Sequence, residues 1–351
     1  MGPGPSNPAP EVIEAFSRPV LGHLDPAFIA LMDDVSERLR LVFRTTNPLT
    51  FAVSGTGSAG MEAAFVNFVG AGDVVVVAVN GVFGQRMTDV AARCGAEVVR
   101  VDHAWGQPVD VERVLNAHPN PKLIAAVHAE TSTGVRSDIA ALGAGKGDAL
   151  LLADCVTSLG GIDVRIDEWG VDIAYSGTQK CLGVPPGLAP LTVSPAALEA
   201  LLPTPQSWYL DLNMIAKYVT GAGARAYHHT APISMIYGLH AGLGALLDEG
   251  LEASFARHAA VGTALQSALV ERGFELFAAE GYRLPQLTSV RVPDGVDEAK
   301  VRARLLDEFG IEIGGGLGEL AGKGWRIGLM GHTARPRNVG ALLSALDTIL
   351  G

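Results

Sequence analysis

The chain has 351 residues, 48% of them hydrophobic and 18% charged, and carries a net charge of −11 at pH 7. Such a length suits two domains with a sizeable core, and the composition excludes a disordered chain. The acidic balance, with no lysine–arginine stripe anywhere, excludes a nucleic-acid partner, which would need clustered cations.

In chain order, the proline-rich "GPGPSNPAP" opens an extended arm, taken as residues 1–15. Its first six residues have the glycine and serine spacing of a myristoylation signal, although Pro3 and Pro5 suit that signal poorly. From about residue 50, strand and helix signals alternate, the pattern of a mostly parallel sheet covered by helices. "LTFAVS" is a strand, "GMEAAFVNFV" a helix, "DVVVVAVN" a strand and "GQRMTDVAARCG" a helix closed by glycine. "AEVVRVD", "KLIAAVHAE", "ALLLADCV", "DIAYSG" and "LAPLTVS" add strands whose near-continuous apolar character fits burial on both faces. After Gly250 a long helix, "LEASFARHAAVGTALQSALVERG", begins a smaller α/β layer. It continues through "FELFA", "LTSVRVP", "DEAKVRARLLDEFG", "WRIGLM" and "RNVGALLSALDTIL". Domains are therefore expected at 16–249 and 250–351. No apolar run is long enough to span a bilayer. Cys94, Cys155 and Cys181 are odd in number and lack metal-ligand spacing, and so read as reduced thiols of a cytoplasmic protein.

Three features carry chemistry. "SGTGSAG" places Gly55, Gly57 and Gly60 in a G-x-G-x-x-G between a strand and a helix. A nicotinamide site would also want an acid at the end of the next strand, about twenty residues on. That strand ends in Asn80, with Asp73 at its wrong end, and no Gly-Lys-Ser/Thr supports a P-loop. What remains is a glycine turn offering amides and a helix dipole to a phosphate. Asp154 ends the apolar "LLLAD", where an unpaired carboxylate is costly. Lys180 follows the strand "DIAYS", and in a parallel sheet such strand ends share one ligand-binding edge. A buried Lys–Asp ion pair would explain the two alone. With the glycine loop they match pyridoxal 5'-phosphate, which wants a lysine for its aldehyde, an acid for its ring nitrogen and a helix start for its phosphate.

Eight segments, in order, resemble the class V aminotransferases, in particular the alanine–glyoxylate and serine–pyruvate type. They are "GPGPSNP", "TTNPLTFAVSGTGSAGMEAAFVN", "NGVFGQR", "ETSTGV", "ADCVTSLGG", "DIAYSGTQKCLGVPPG", "YHHTAPI" and "WRIGLMG". The resemblance implies an α/β fold, type I of the pyridoxal-phosphate transferases, with a large, mostly parallel domain and a smaller C-terminal one. It implies that Lys180 binds the aldehyde and Asp154 the ring nitrogen. Thr56, Gly57, Ser58 and Gln179 would hold the phosphate, Phe83 and Val156 would cover the two ring faces, and Thr131 would sit beside the ring. Tyr227 and Thr230 would reach the phosphate of a neighbouring subunit, making the active site shared within a homodimer. Arg326 would grip the substrate carboxylate, as a guanidinium fork does well, and Gly4 in the arm would lie near the substrate.

Phe83 stands where some relatives have tryptophan, keeping a stacking ring but not the indole donor. The segment before "GPGPSN" is nearly absent and no peroxisomal address closes the chain, both expected of a bacterial-type cytoplasmic enzyme. The tandem His228 and His229, on an extended segment, would point to opposite faces and serve packing or hydrogen bonding rather than a metal. The implied reaction is ping-pong transamination from a small amino acid, alanine or serine, to glyoxylate or pyruvate. A 2-aminoethylphosphonate–pyruvate or pyridoxamine–pyruvate aminotransferase shares the skeleton. A cysteine desulfurase does not fit, since no cysteine follows Cys181. A nicotinamide oxidoreductase would rest on the glycine loop alone.

Overall fold

The computed structural model describes residues 1–220 and 225–351. Among them, seven strands form the larger sheet, in the spatial order Leu49–Ser54, Leu188–Val193, Ile173–Tyr175, Leu150–Asp154, Leu123–Val127, Val74–Val79, Glu97–Asp102. All run parallel except Leu188–Val193, which is antiparallel to both neighbours. Strand side chains alternate between faces. Val75, Val77 and Val79 therefore enter one core while Val76 and Ala78 enter another on the opposite side. This double burial produces the unbroken apolar runs seen in the sequence.

Helices Gly57–Val66 and Val82–Arg93 cover one face, contributing Met61, Phe65, Met87 and Ala91 to its core. Pro26–Phe43 and Ile233–Glu249 cover the other. Neither of the latter pair is among the elements expected from periodicity. Pro26–Phe43 does carry start signals: Pro26 occupies the first turn and the Asp25 side chain accepts from Ala27 N at 2.8 Å. Ile233–Glu249 hides behind glycines that lower helix propensity but permit close packing. A Cβ on Gly242 would lie 2.3 Å from Val184 Cγ2. The expected extended arm is also shorter than 1–15, because Pro10–Ala15 is helical, with proline in the first turn where it forfeits no hydrogen bond.

The second sheet is antiparallel, in the order Glu275–Leu276, Leu287–Arg291, Gly324–Gly328, Gly314–Gly315. Helices Leu251–Glu271, Glu298–Phe309 and Pro336–Leu350 close a separate core around the fully buried Trp325. Among the described residues, no helix is long and apolar enough to cross a membrane, and no cluster of His, Cys, Asp and Glu could hold a metal ion.

Gly262 lets helix Leu251–Glu271 lie against the chain at Pro285: an added Cβ would meet Pro285 O at 2.3 Å and its Cα at 2.6 Å. Neither backbone atom can swing away. Gly262→Ala is expected to destabilise the protein by about 1–3 kcal/mol through overpacking, seen as a lower urea midpoint. An unchanged midpoint would contradict this packing.

Candidate active site

The carboxyl ends of the central strands carry the site. Strand Leu49–Ser54 turns at Gly55 and Thr56 into helix Gly57–Val66. The Thr56 carbonyl accepts from Ala59 and Gly60, while the amides of Gly57 and Ser58, in the first turn, have no acceptor within the helix. They face a cavity of about 220 Å³. Thr56, Gly57, Ser58, Phe83, Val156, Gln179, Asp154 and Lys180 all line it, joined by Met61, Arg86 and Tyr175.

Asp154 ends its strand and is 2% exposed. Its Oδ1 accepts from Val156 N at 2.8 Å and its Oδ2 from the Tyr175 hydroxyl at 2.6 Å. Burial pushes the carboxyl up to about 6, against the pull of these two donors; the Glu130 charge adds to the rise and Lys180 opposes it. Lys180, 8% exposed, is brought down to about 8, first by burial and then by the nearby Arg326 guanidinium. Its Nζ donates to the Pro3 carbonyl, so the N-terminal arm lies directly on the amine. Gly4, at φ +111°, brings the chain so near that a Cβ there would be 2.6 Å from Nζ. Ser6 pins the arm by donating from N to Gln179 O at 2.8 Å and from Oγ to Lys180 O at 2.7 Å.

The Phe83 ring lies under the Arg86 guanidinium at 4.9 Å, and Arg86 Nη1 donates to Ser58 Oγ at 3.3 Å. Three residues apart, the two share one helix face. Glu130, fully buried, sets that helix in place. Its carboxylate accepts from Phe83 N at 3.1 Å, Gly84 N at 3.4 Å, Ser132 N at 3.0 Å and Ser132 Oγ at 2.6 Å. Ser132 Oγ in turn accepts from Val82 N at 3.0 Å. The first turn of Val82–Arg93 is thus capped from a neighbouring segment rather than by its own N-cap residue, Gly81. The sequence reading passed over Arg86, Tyr175 and Glu130. Arg86 lies within the quoted "NGVFGQR", and its spacing from Phe83 was the available signal.

The other expected residues lie apart from the cavity. Thr131 is buried behind it, paired with the Thr157 hydroxyl, and its carbonyl accepts from Arg326 Nη1 at 3.5 Å. Arg326 also donates from Nε to Gly315 O at 2.9 Å, which aligns the guanidinium. Tyr227 is 58% exposed, its hydroxyl 3.2 Å from Thr230 Oγ1, and neither residue touches its own chain's cavity. The histidine pair packs and hydrogen-bonds as expected, but its orientation is corrected. The chain bends at His229, and the two rings meet, Nδ1 to Nδ1 at 2.8 Å, instead of facing apart. His229 Nε2 also pairs with Ser54 Oγ at 2.7 Å, while His228 stacks on Trp208.

A mostly parallel sheet with a buried lysine and acid at its carboxyl edge, followed by a smaller antiparallel sheet, defines a fold type I pyridoxal-phosphate-dependent transferase fold. The family model for aminotransferase class-V matches residues 15–321, and the chain belongs to that family. It is 40% identical over 358 residues to an alanine–glyoxylate aminotransferase of Drosophila melanogaster, covering 99% of this chain and 91% of that one. It is 37% identical over 376 residues to an (S)-ureidoglycine–glyoxylate transaminase of Bacillus subtilis, covering 100% and 90%. The crystal structure of an alanine–glyoxylate aminotransferase from Nostoc sp. superposes with a TM-score of 0.96 at 48% identity, covering 100% of this chain and 94% of that one.

The lowered Lys180 has a direct consequence. Its neutral fraction should climb about tenfold per pH unit and level off near pH 8, whereas ordinary lysines, near 10.5, keep gaining. Reductive methylation followed by peptide mass spectrometry measures this. A Lys180 profile that rises in step with surface lysines would contradict the burial-driven shift.

Proposed function

We propose that this class V aminotransferase uses pyridoxal 5'-phosphate to move an amino group from a small amino acid to glyoxylate. The observation that carries this reading is the single cavity that holds a desolvated amine, a buried carboxylate and the free amides of a helix start. The residues fit the cofactor. The amides of Gly57 and Ser58 have no acceptor within their own helix and line the cavity that also holds Asp154 and Lys180, which is the donor set an anionic phosphate requires.

When bound, the cofactor supplies an aldehyde carbon that joins amines and a ring that draws electrons from the adjoining carbon. The chain's residues do the rest. Gly57 and Ser58 hold the phosphate by backbone N–H, aided by the helix dipole, with Thr56 and Gln179 beside them. Asp154 keeps the ring nitrogen protonated, and Phe83 and Val156 hold the ring between them. Lys180 would hold the aldehyde, and its Nζ would be the atom that takes the proton from substrate Cα. Arg326 binds the substrate carboxylate, carried there by residues 250–351 as a smaller domain beside the cofactor-binding 16–249. The arm, with Gly4 against Lys180, excludes water and leaves room for a small side chain only. Tyr227 and Thr230, exposed and unengaged by their own cavity, serve the phosphate of a second copy in a homodimer.

Glyoxylate as acceptor is supported by both named relatives, whereas they differ in the donor, alanine in one and ureidoglycine in the other. Assays of alanine, serine and ureidoglycine against glyoxylate and pyruvate are expected to show exchange with glyoxylate. Borohydride should fix a pyridoxyl group on Lys180, and Lys180→Ala should remove turnover with the fold intact. No exchange with glyoxylate from any of the three donors would sink the acceptor assignment; substantial turnover by Lys180→Ala would sink the lysine's role.

Losing the guanidinium fork forfeits about 2 kcal/mol of charge-assisted hydrogen bonding. Arg326→Gln should therefore raise KM for both amino acid and oxo acid roughly thirtyfold. Equal KM values in parent and variant would remove Arg326 from the substrate site.

A further inference from the structure

Tyr175 is the last residue of strand Ile173–Tyr175 and stands in register with Asp154 on the adjacent parallel strand. Register partners project to the same face, and here the phenol donates to Asp154 Oδ2 at 2.6 Å while Val156 N holds Oδ1 at 2.8 Å. Each carboxylate oxygen is thereby fixed by one donor and keeps lone-pair capacity for another. The phenol is fully buried, and it lies under the helix that begins at the glycine loop. A Cβ on Gly60 would come within 3.2 Å of Tyr175 Cβ and 2.9 Å of Ala189 Cβ, so only glycine lets that helix rest on the tyrosine.

We propose that Tyr175 is a positioning residue: it orients the Asp154 carboxylate toward the ring nitrogen, keeps it ionised, and links that orientation to the phosphate-binding helix. The inference deepens the cofactor reading above and rests on it. Three titratable groups face Asp154: Tyr175, Lys180 from the following loop, and Glu130 from the segment that follows strand Leu123–Val127. Burial and Glu130 favour the neutral acid; Tyr175, Val156 and Lys180 oppose them. Without the phenol, the balance tips toward protonation. The tyrosine itself is held above its ordinary range by burial and by Asp154, so it remains a proton donor wherever the enzyme works.

Tyr175→Phe removes the oxygen and little volume. Two readouts separate positioning from packing. In cofactor-free full-length protein, the Asp154 carboxyl titration, assigned by difference infrared against Asp154→Asn, should move up by about one pH unit. In protein loaded with pyridoxal phosphate labelled with nitrogen-15 in the ring, the pyridinium signal of the parent should be partly lost. Turnover should fall about tenfold with the amino-acid KM nearly unchanged. If Tyr175→Phe does not fold, 3-fluorotyrosine at position 175, a stronger donor, should move the carboxyl titration down instead. A folded variant with both the carboxyl titration and the ring-nitrogen signal unmoved overturns the proposal, whatever its activity. Failure of the parent to take up the cofactor would instead sink the cofactor reading, and the cofactor-free titration would still decide the role of Tyr175.

Discussion

Withdrawal of one ammonium group from water is the constraint on which the rest of the site depends. Lys180 sits past the end of an apolar strand, with the arm laid across it and Arg326 repelling its charge. Burial and the Arg326 charge favour the neutral amine. Asp154 and Glu130 pull the other way, and the outcome lies close to neutrality. An amine poised there is partly neutral without a separate base beside it. The antiparallel small sheet matters for the same reason, since it delivers the Arg326 guanidinium to the amine's surroundings.

The buried carboxylates show two solutions to one problem. Glu130 takes four donors from a turn and a helix start, and so spends its charge on architecture. Asp154 takes two and retains capacity toward the cavity. Both are pushed upward by burial. The first fixes the helix that carries Phe83 and Arg86, and the second faces the space beside them.

Much of this was legible in the sequence because charge at the end of an apolar run is conspicuous. Asp154 and Lys180 stand out for that reason, as do strands buried on both faces. Tyr175 was invisible, because a tyrosine at a strand end reads as core until its partner across the sheet is known. Glu130 was hidden because two of its four donors come from residues 83 and 84, far off in sequence. Helix Ile233–Glu249 escaped notice because its glycines, which weaken a helical pattern, are required by neighbours such as Val184. The histidine pair misled because alternation was assumed for a segment that bends.

The arm has a mechanical consequence. Met1 O accepts from Gly328 N at 2.9 Å, and two residues later the Pro3 carbonyl accepts from the Lys180 amine. Gly328 belongs to the same strand as Arg326. Three residues of the arm therefore tie the strand that carries Arg326 to the Lys180 amine. Strand and amine thus share one short, hydrogen-bonded tether, so the position of either end constrains the other.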